Sequence, residues 1–340
     1  MKSNYRYIVK AFMAMAVIAG TTSCDDFLDR EPMSSISPET YYSTAAQLEA
    51  NLNDEYPNVL PSFGQWTYGI FGEDKGTDNQ IEVNANDRYT QDRWKVPHSE
   101  SDNWKFERIY RINFFLSEAL PKFGEDMSGS QNTISGSVAT IKHYIGEMYF
   151  LRAYEYFKKL QLFGDFPIID QPLADEMEAL REASKRFPRN EVARFIISDL
   201  DKAYAYMSDV DMATTRINKD AAMLVKSRVA LFEATWLQNF KGTAFVPGGE
   251  GWPGASLHNN YQYPSGNIDN EVKYFLEQAV EASKLVADKY KGNLTENTGV
   301  LQQSADDPSN PYFDMFAQED LSDVKEVLLW RQYARGLSTH

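Results

Sequence analysis

A lone thiol and one loop-rich stretch of interleaved aromatic and polar side chains have the types and spacing that suit chemistry. Cys24 is the single cysteine among 340 residues and directly follows the small residues Thr21, Thr22 and Ser23. Lys2, Arg6 and Lys10 come first, then an apolar run from Ala11 to Gly20, so residues 1–23 have the layout of a secretory signal peptide. That run is too short for a spanning helix, which takes about 20 apolar residues. A thiol at such a boundary is the expected lipidation site, and several acyl chains hold a protein at a membrane far better than one. Once Cys24 is acylated no thiol is left, which excludes disulfides, cysteine-zinc sites and thiol nucleophiles.

The second candidate is section 61–101, where Gly64, Gly69, Gly72, Gly76 and Pro97 interrupt every period. Long loops within a compact domain are usually functional. Trp66, Tyr68 and Trp94 offer flat rings there, and Asp78, Asn79 and Arg88 offer hydrogen-bonding ends. Together they are the expected ligand-binding set, although any one of them alone reads more readily as structural. A further Gly/Pro-rich stretch, 241–267, carries Trp252, Tyr261 and Tyr263. Aromatic side chains on such a loop can anchor a protein partner, or pack onto their own domain.

Catalytic patterns are weak by comparison. His98, His143, His258 and His340 are scattered without metal-ligand spacing. Among 49 acidic residues a few neighbouring carboxylates carry no information, so a glycosidase pair is not identifiable. No GxSxG, P-loop or GxGxxG occurs in a supporting context. No enzyme, cofactor or metal is expected.

Helices must position these residues. Residues 39–60 read as helical, and from Trp104 a 3.6-residue period takes over. Phe106, Ile109, Asn113, Leu116 and Leu120 share one face before Pro121. A long helix from about Ser137 to Phe163 places Val138, Ile141, Ile145, Met148, Leu151, Tyr156 and Leu160 inward and stops at Gly164. Further helices are expected near Glu191–Met207, with Val192, Phe195, Ile196, Leu200 and Ala203 inward, and near Lys219–Asn239, with Ala222, Val225, Val229, Phe232 and Trp236 inward. A strongly amphipathic one covers Glu271–Lys289. The expected organisation is a signal peptide at 1–23, an acidic and Ser-rich tether at 24–38, and one all-α domain at 39–340. Within that domain lie the loop section 61–101, tetratricopeptide-like repeat helices across 104–290 and the insertion 241–267.

Charge narrows the partners. The chain has 34 Lys and Arg against 49 Asp and Glu, and removal of residues 1–23 leaves 31 against 49, a net −18. A body this acidic repels nucleic acid and anionic lipid.

The run Glu147-Met148-Tyr149-Phe150-Leu151-Arg152-Ala153-Tyr154-Glu155-Tyr156-Phe157, followed by Leu160 and Phe163-Gly164-Asp165-Phe166-Pro167, resembles the signature helix of the SusD/RagB-like surface lipoproteins. Cys24-Asp25-Asp26-Phe27-Leu28-Asp29, Pro188-Arg189 with Asp199-Leu200, and Asn218-Lys219-Asp220-Ala221-Ala222 with Ser227-Arg228-Val229-Ala230-Leu231 match the same family in order. The resemblance implies a tetratricopeptide-like helical scaffold with a loop-rich ligand-facing side. It implies a non-catalytic lipoprotein at the outer surface of the outer membrane that binds oligosaccharide and hands it to a TonB-dependent, SusC-like transporter. Some members are implied to capture peptides instead, which is the runner-up reading. Trp252, Tyr261 and Tyr263 are expected on the transporter side. Family members continue well past the equivalent of Glu326-Val327-Leu328-Leu329-Trp330, so the C-terminal part completing the ligand-facing half is expected to be missing here. Glu147 and Arg152 are expected in buried or semi-buried pairs that fix helix packing.

Overall fold

In a computed structural model, residues 41–61, 80, 103–124, 126–208, 212–301, 304 and 306–333 are described. Those from Tyr42 onward belong to one compact unit. The principal helices are α1 (Ala45–Val59), α2 (Glu107–Phe123), α3 (Val138–Phe163), the short α4 (Met177–Ala183), α5 (Arg189–Tyr206), α6 (Lys219–Asn239), α7 (Ile268–Tyr290) and the short α8 (Pro311–Met315). Two isolated β-bridges pair described residues with each other, Thr44 with Ser135 and Phe166 with Phe187.

Local chemistry sets the helix ends. Thr44 and Gln47 form a reciprocal capping box at the start of α1. Ser137, Asn218 and Asn267 each accept a backbone N–H at the starts of α3, α6 and α7. Gly164, at φ 67°, ends α3 in a left-handed conformation that costs glycine nothing. Pro121 lies inside the last turn of α2 and does not end it; the stop comes at Gly124.

Side-chain pairs reveal how the helices run. Tyr149 meets Tyr206, Arg152 meets Asp199 and Tyr156 meets Phe195, so residue numbers rise along α3 as they fall along α5. Arg189 with Glu233 and Lys226 with Asp201 give the same antiparallel relation between α5 and α6. Asp220 with Lys289 and Lys241 with Asp269 repeat it for α6 and α7. This up-and-down row of hairpins is the repeat scaffold expected from the periodicity.

The core lies between these helices. Ile141, Ile145, Met148, Leu151, Tyr156 and Leu160 of α3 are buried, whereas Val138 in its first turn is 39% exposed. At Gly146 a Cβ would come within 2.9 Å of the Ala203 carbonyl oxygen, so glycine permits the close approach of α3 to α5. Among the described residues no helix is long and apolar enough to cross a membrane.

Charged pairs sit inside these seams. Arg152 donates from Nε and Nη2 to Asp199 at 2.6 and 2.8 Å, and from Nη1 to the Asn113 side chain and the Asp170 carbonyl. Arg189 donates to both oxygens of Glu233, and Arg194 to both oxygens of Glu271. Glu147 and Arg152 are thus in buried pairs, as expected, but with different partners: Glu147 accepts from Arg216 at 2.8 and 2.9 Å. Removing one member of such a pair costs about 3–5 kcal/mol, because the other is left charged and dry.

Candidate functional site

The sequence-expected positions fall in three groups. Cys24 and the set Trp66, Tyr68, Asp78, Asn79, Arg88 and Trp94 lie outside the described residues. Trp252, Tyr261 and Tyr263 are described, and they are drawn together by their own domain. The Trp252 indole N–H donates to Asp165 at 2.7 Å, and the other Asp165 oxygen accepts the Arg189 amide at 2.9 Å. Burial holds the Asp165 carboxyl above its ordinary range, although these donors oppose it. Tyr261 exchanges hydrogen bonds with the Asn190 side chain, and the Tyr263 hydroxyl donates to the Pro247 carbonyl at 2.6 Å. Trp252 is only 5% exposed, and its N–H finds its acceptor inside the fold. Tyr261 and Tyr263 are half-buried, while Phe245 and Leu257 of the same insertion remain exposed.

A second feature was not legible in the sequence: an open groove of about 1230 Å³. One wall is a face of α6 on which Leu224, Arg228, Leu231 and Thr235 succeed one another at steps of four, three and four residues. Tyr154 of α3 and Phe232 of α6 also line the groove, with Phe150, itself 1% exposed, stacked on Tyr154 at 6.1 Å and 11°. The segment 326–332, including Val327, Leu329 and Trp330, supplies a further part of the lining. Tyr56, Pro57, Leu60 and Pro61 close one end, immediately before the expected ligand-facing section 61–101.

Hydrogen bonds fix the irregular wall. Trp330 donates its backbone N–H to the Thr214 carbonyl at 3.1 Å and its indole N–H to the Thr214 hydroxyl at 2.8 Å. Asn218 donates to the Leu328 carbonyl at 2.6 Å, and Arg331 to the Pro61 carbonyl at 3.2 Å. Thr214 and Asn218 flank Arg216 and Ile217, which are tied to the core. The Tyr56 hydroxyl donates to Glu147 at 2.5 Å and accepts the Ile217 amide at 2.9 Å. Burial and the Glu147 charge push the Tyr56 hydroxyl well above its ordinary range, so it stays a donor. His143 places Nε2 3.0 Å from the Ile217 carbonyl and 3.1 Å from Glu147. This polar cluster has its hydrogen bonds met inside the fold and serves as a foundation for the groove wall.

The groove therefore offers aromatic faces, aliphatic walls and few free polar ends. Ser227 and Thr235 turn their hydroxyls back onto carbonyls of their own helix. Such a surface can bind rings or chains by stacking and burial. Among the described residues no group of three or more His, Cys, Asp or Glu side chains could hold a metal ion.

A SusD-like family model, described as starch-binding and associating with the outer membrane, matches residues 26–231. Two SusD-like proteins of Formosa agariphila are each 25% identical to the chain. One match covers 71% of this chain and 46% of the relative, the other 63% and 41%. The chain thus spans less than half the length of these relatives. It is also similar to a crystal structure of a SusD-like carbohydrate binding protein from Bacteroides vulgatus, at 14% identity and a TM-score of 0.45, over 76% of this chain and 47% of that one.

Proposed function

The chain belongs to the SusD-like family, described as starch-binding and associating with the outer membrane, and from that premise we propose that it binds oligosaccharide at the cell surface without cleaving it. In this reading Cys24 carries the lipid anchor, and the bound sugar passes to a TonB-dependent, SusC-like transporter. The observation that carries the reading is the groove lined in part by Tyr154, Phe232 and Trp330, large enough for several sugar rings, in a chain of this family. Trp66, Tyr68, Asp78, Asn79, Arg88 and Trp94 would add stacking faces and hydroxyl partners from the section that follows Pro61. Exposed Phe245 and Leu257, with half-buried Tyr261 and Tyr263, make the insertion the better candidate for the transporter contact.

A second reading, peptide capture, is favoured by the aliphatic part of the groove, Leu224, Leu231, Val327 and Leu329. One experiment separates the two. The full-length chain in detergent is titrated with a panel of oligosaccharides and with apolar peptides, and the sugar mixtures are assayed for new reducing ends. Sugar binding without new reducing ends supports the proposal. Binding of peptides alone transfers the groove to the second reading, and release of reducing ends would overturn the non-catalytic role.

A further inference from the structure

Cations at the helix seams are matched. Arg152, Arg189, Arg194 and Arg216 each hold a carboxylate that is buried. Lys226 on α6 holds Asp201 at 2.7 Å. Arg228, two residues further along α6, has no carboxylate within 4.0 Å among the described residues, although the chain carries 49 of them. It is exposed on the groove wall, and Leu224 and Leu231 flank it one turn to either side.

The ionic content of the groove points the same way. Its ionised side chains are Arg228, Arg331 and Glu326. Glu326 is occupied by the Thr295 amide at 3.1 Å. In a protein of net charge −15, the groove lining thus carries a local excess of positive charge. Aliphatic and aromatic walls lower the local dielectric, so a charge pair formed there is stronger than one in open water. The guanidinium fork of Arg228 matches a planar carboxylate with two parallel hydrogen bonds. Tyr154 and Trp330 supply ring faces in the same groove.

We infer that the groove is selective for acidic oligosaccharides, with Arg228 receiving the carboxylate of a uronic acid residue while the sugar ring lies against Tyr154 or Trp330. This rests on the oligosaccharide reading above and specifies its substrate class. Arg331, whose guanidinium also holds the Pro61 carbonyl, adds to the field without being the direct ligand.

The test uses the full-length chain in detergent and calorimetric titration with four probes: an oligogalacturonide, a neutral glucan of equal length, a sulfated galactan oligosaccharide and an apolar peptide. The oligogalacturonide should bind about tenfold to hundredfold more tightly than the neutral glucan. The preference should shrink as salt rises and vanish in Arg228→Gln, with Arg228→Lys intermediate. Circular dichroism confirms that the variants fold, as expected for an exposed position. Equal affinity for neutral and acidic sugars, a sulfated probe bound more tightly than the uronate, or a preference that survives Arg228→Gln would each overturn the inference while leaving the oligosaccharide reading intact. Binding of the peptide and of no sugar would overturn both.

Discussion

Arg152 and Asp199 face each other with two parallel hydrogen bonds, 2.6 and 2.8 Å, across the α3–α5 seam, and both are buried. The same guanidinium reaches Asn113 of α2, so one side chain ties three helices together. Arg152→Ala should destabilise the fold by about 3–5 kcal/mol, read as a lower midpoint in urea. Arg152→Lys should recover only part of this, because a lysine cannot fill the fork. A midpoint unchanged in both variants would remove the pair from the set that holds the fold.

Glu271 gives the pH dependence a definite sign. Burial pushes its carboxyl up, but hydrogen bonds from Arg194, Asn190 and Ser265 outweigh it and hold the carboxyl below its ordinary value. The unfolded chain then binds the proton more readily, so this stabilisation is present above the ordinary carboxylate value of 4.5 and is lost as pH falls through and below it. Thermal melts from about pH 3 to pH 7 should show wild type gaining more stability with pH than Glu271→Gln. Parallel curves would contradict the assignment.

Much of the scaffold was legible, and the misses have physical causes. Ser137, the apolar period and Gly164 define α3 to within one residue. On α6 the apolar stripe suggested Val225, Phe232 and Trp236 as inward. The buried face instead includes Lys226 and Glu233, with Ala222, Val229, Ala230, Ala234 and Leu237. Periodicity of apolar residues overlooks a buried ion pair, because its members look like solvent-facing positions. The short α4 has no buried residue and hence no period to detect. The groove gathers Phe150, Leu224, Val327 and Trp330 into one lining, residues far apart in sequence that no local pattern brings together. The ligand-binding set in 61–101 lies outside the described residues.

Trp252 should behave as a structural residue of the insertion. Trp252→Phe keeps a ring but leaves Asp165 without its indole donor. We expect a loss of about 1–3 kcal/mol and faster amide exchange in 241–267, with α3 unaffected. Phe245→Ala and Leu257→Ala should leave exchange and stability near wild type and, if the insertion meets the transporter, weaken co-purification of that partner.

Trp66→Ala and Trp94→Ala should each weaken oligosaccharide binding by roughly 30-fold, the effect of losing a buried stacking ring. Calorimetric titration of both variants checks this, and unchanged affinity in both removes the set in 61–101.

Cys24→Ala should move the protein from the membrane fraction to the soluble fraction, since the acyl chains are its expected anchor. Fractionation of cells expressing the variant is the measurement, and retention with the outer membrane would point to another tether.

The two faces of α6 separate what inheritance must keep from what it can vary. Lys226, Val229, Glu233 and Leu237 look into the seams, where substitution costs the fold, whereas Leu224, Arg228, Leu231 and Thr235 line the groove and carry little of the core. Exposed positions tolerate replacement within about 0.5 kcal/mol. The lining of the groove can therefore be rewritten on successive turns of a single helix with the architecture behind it untouched.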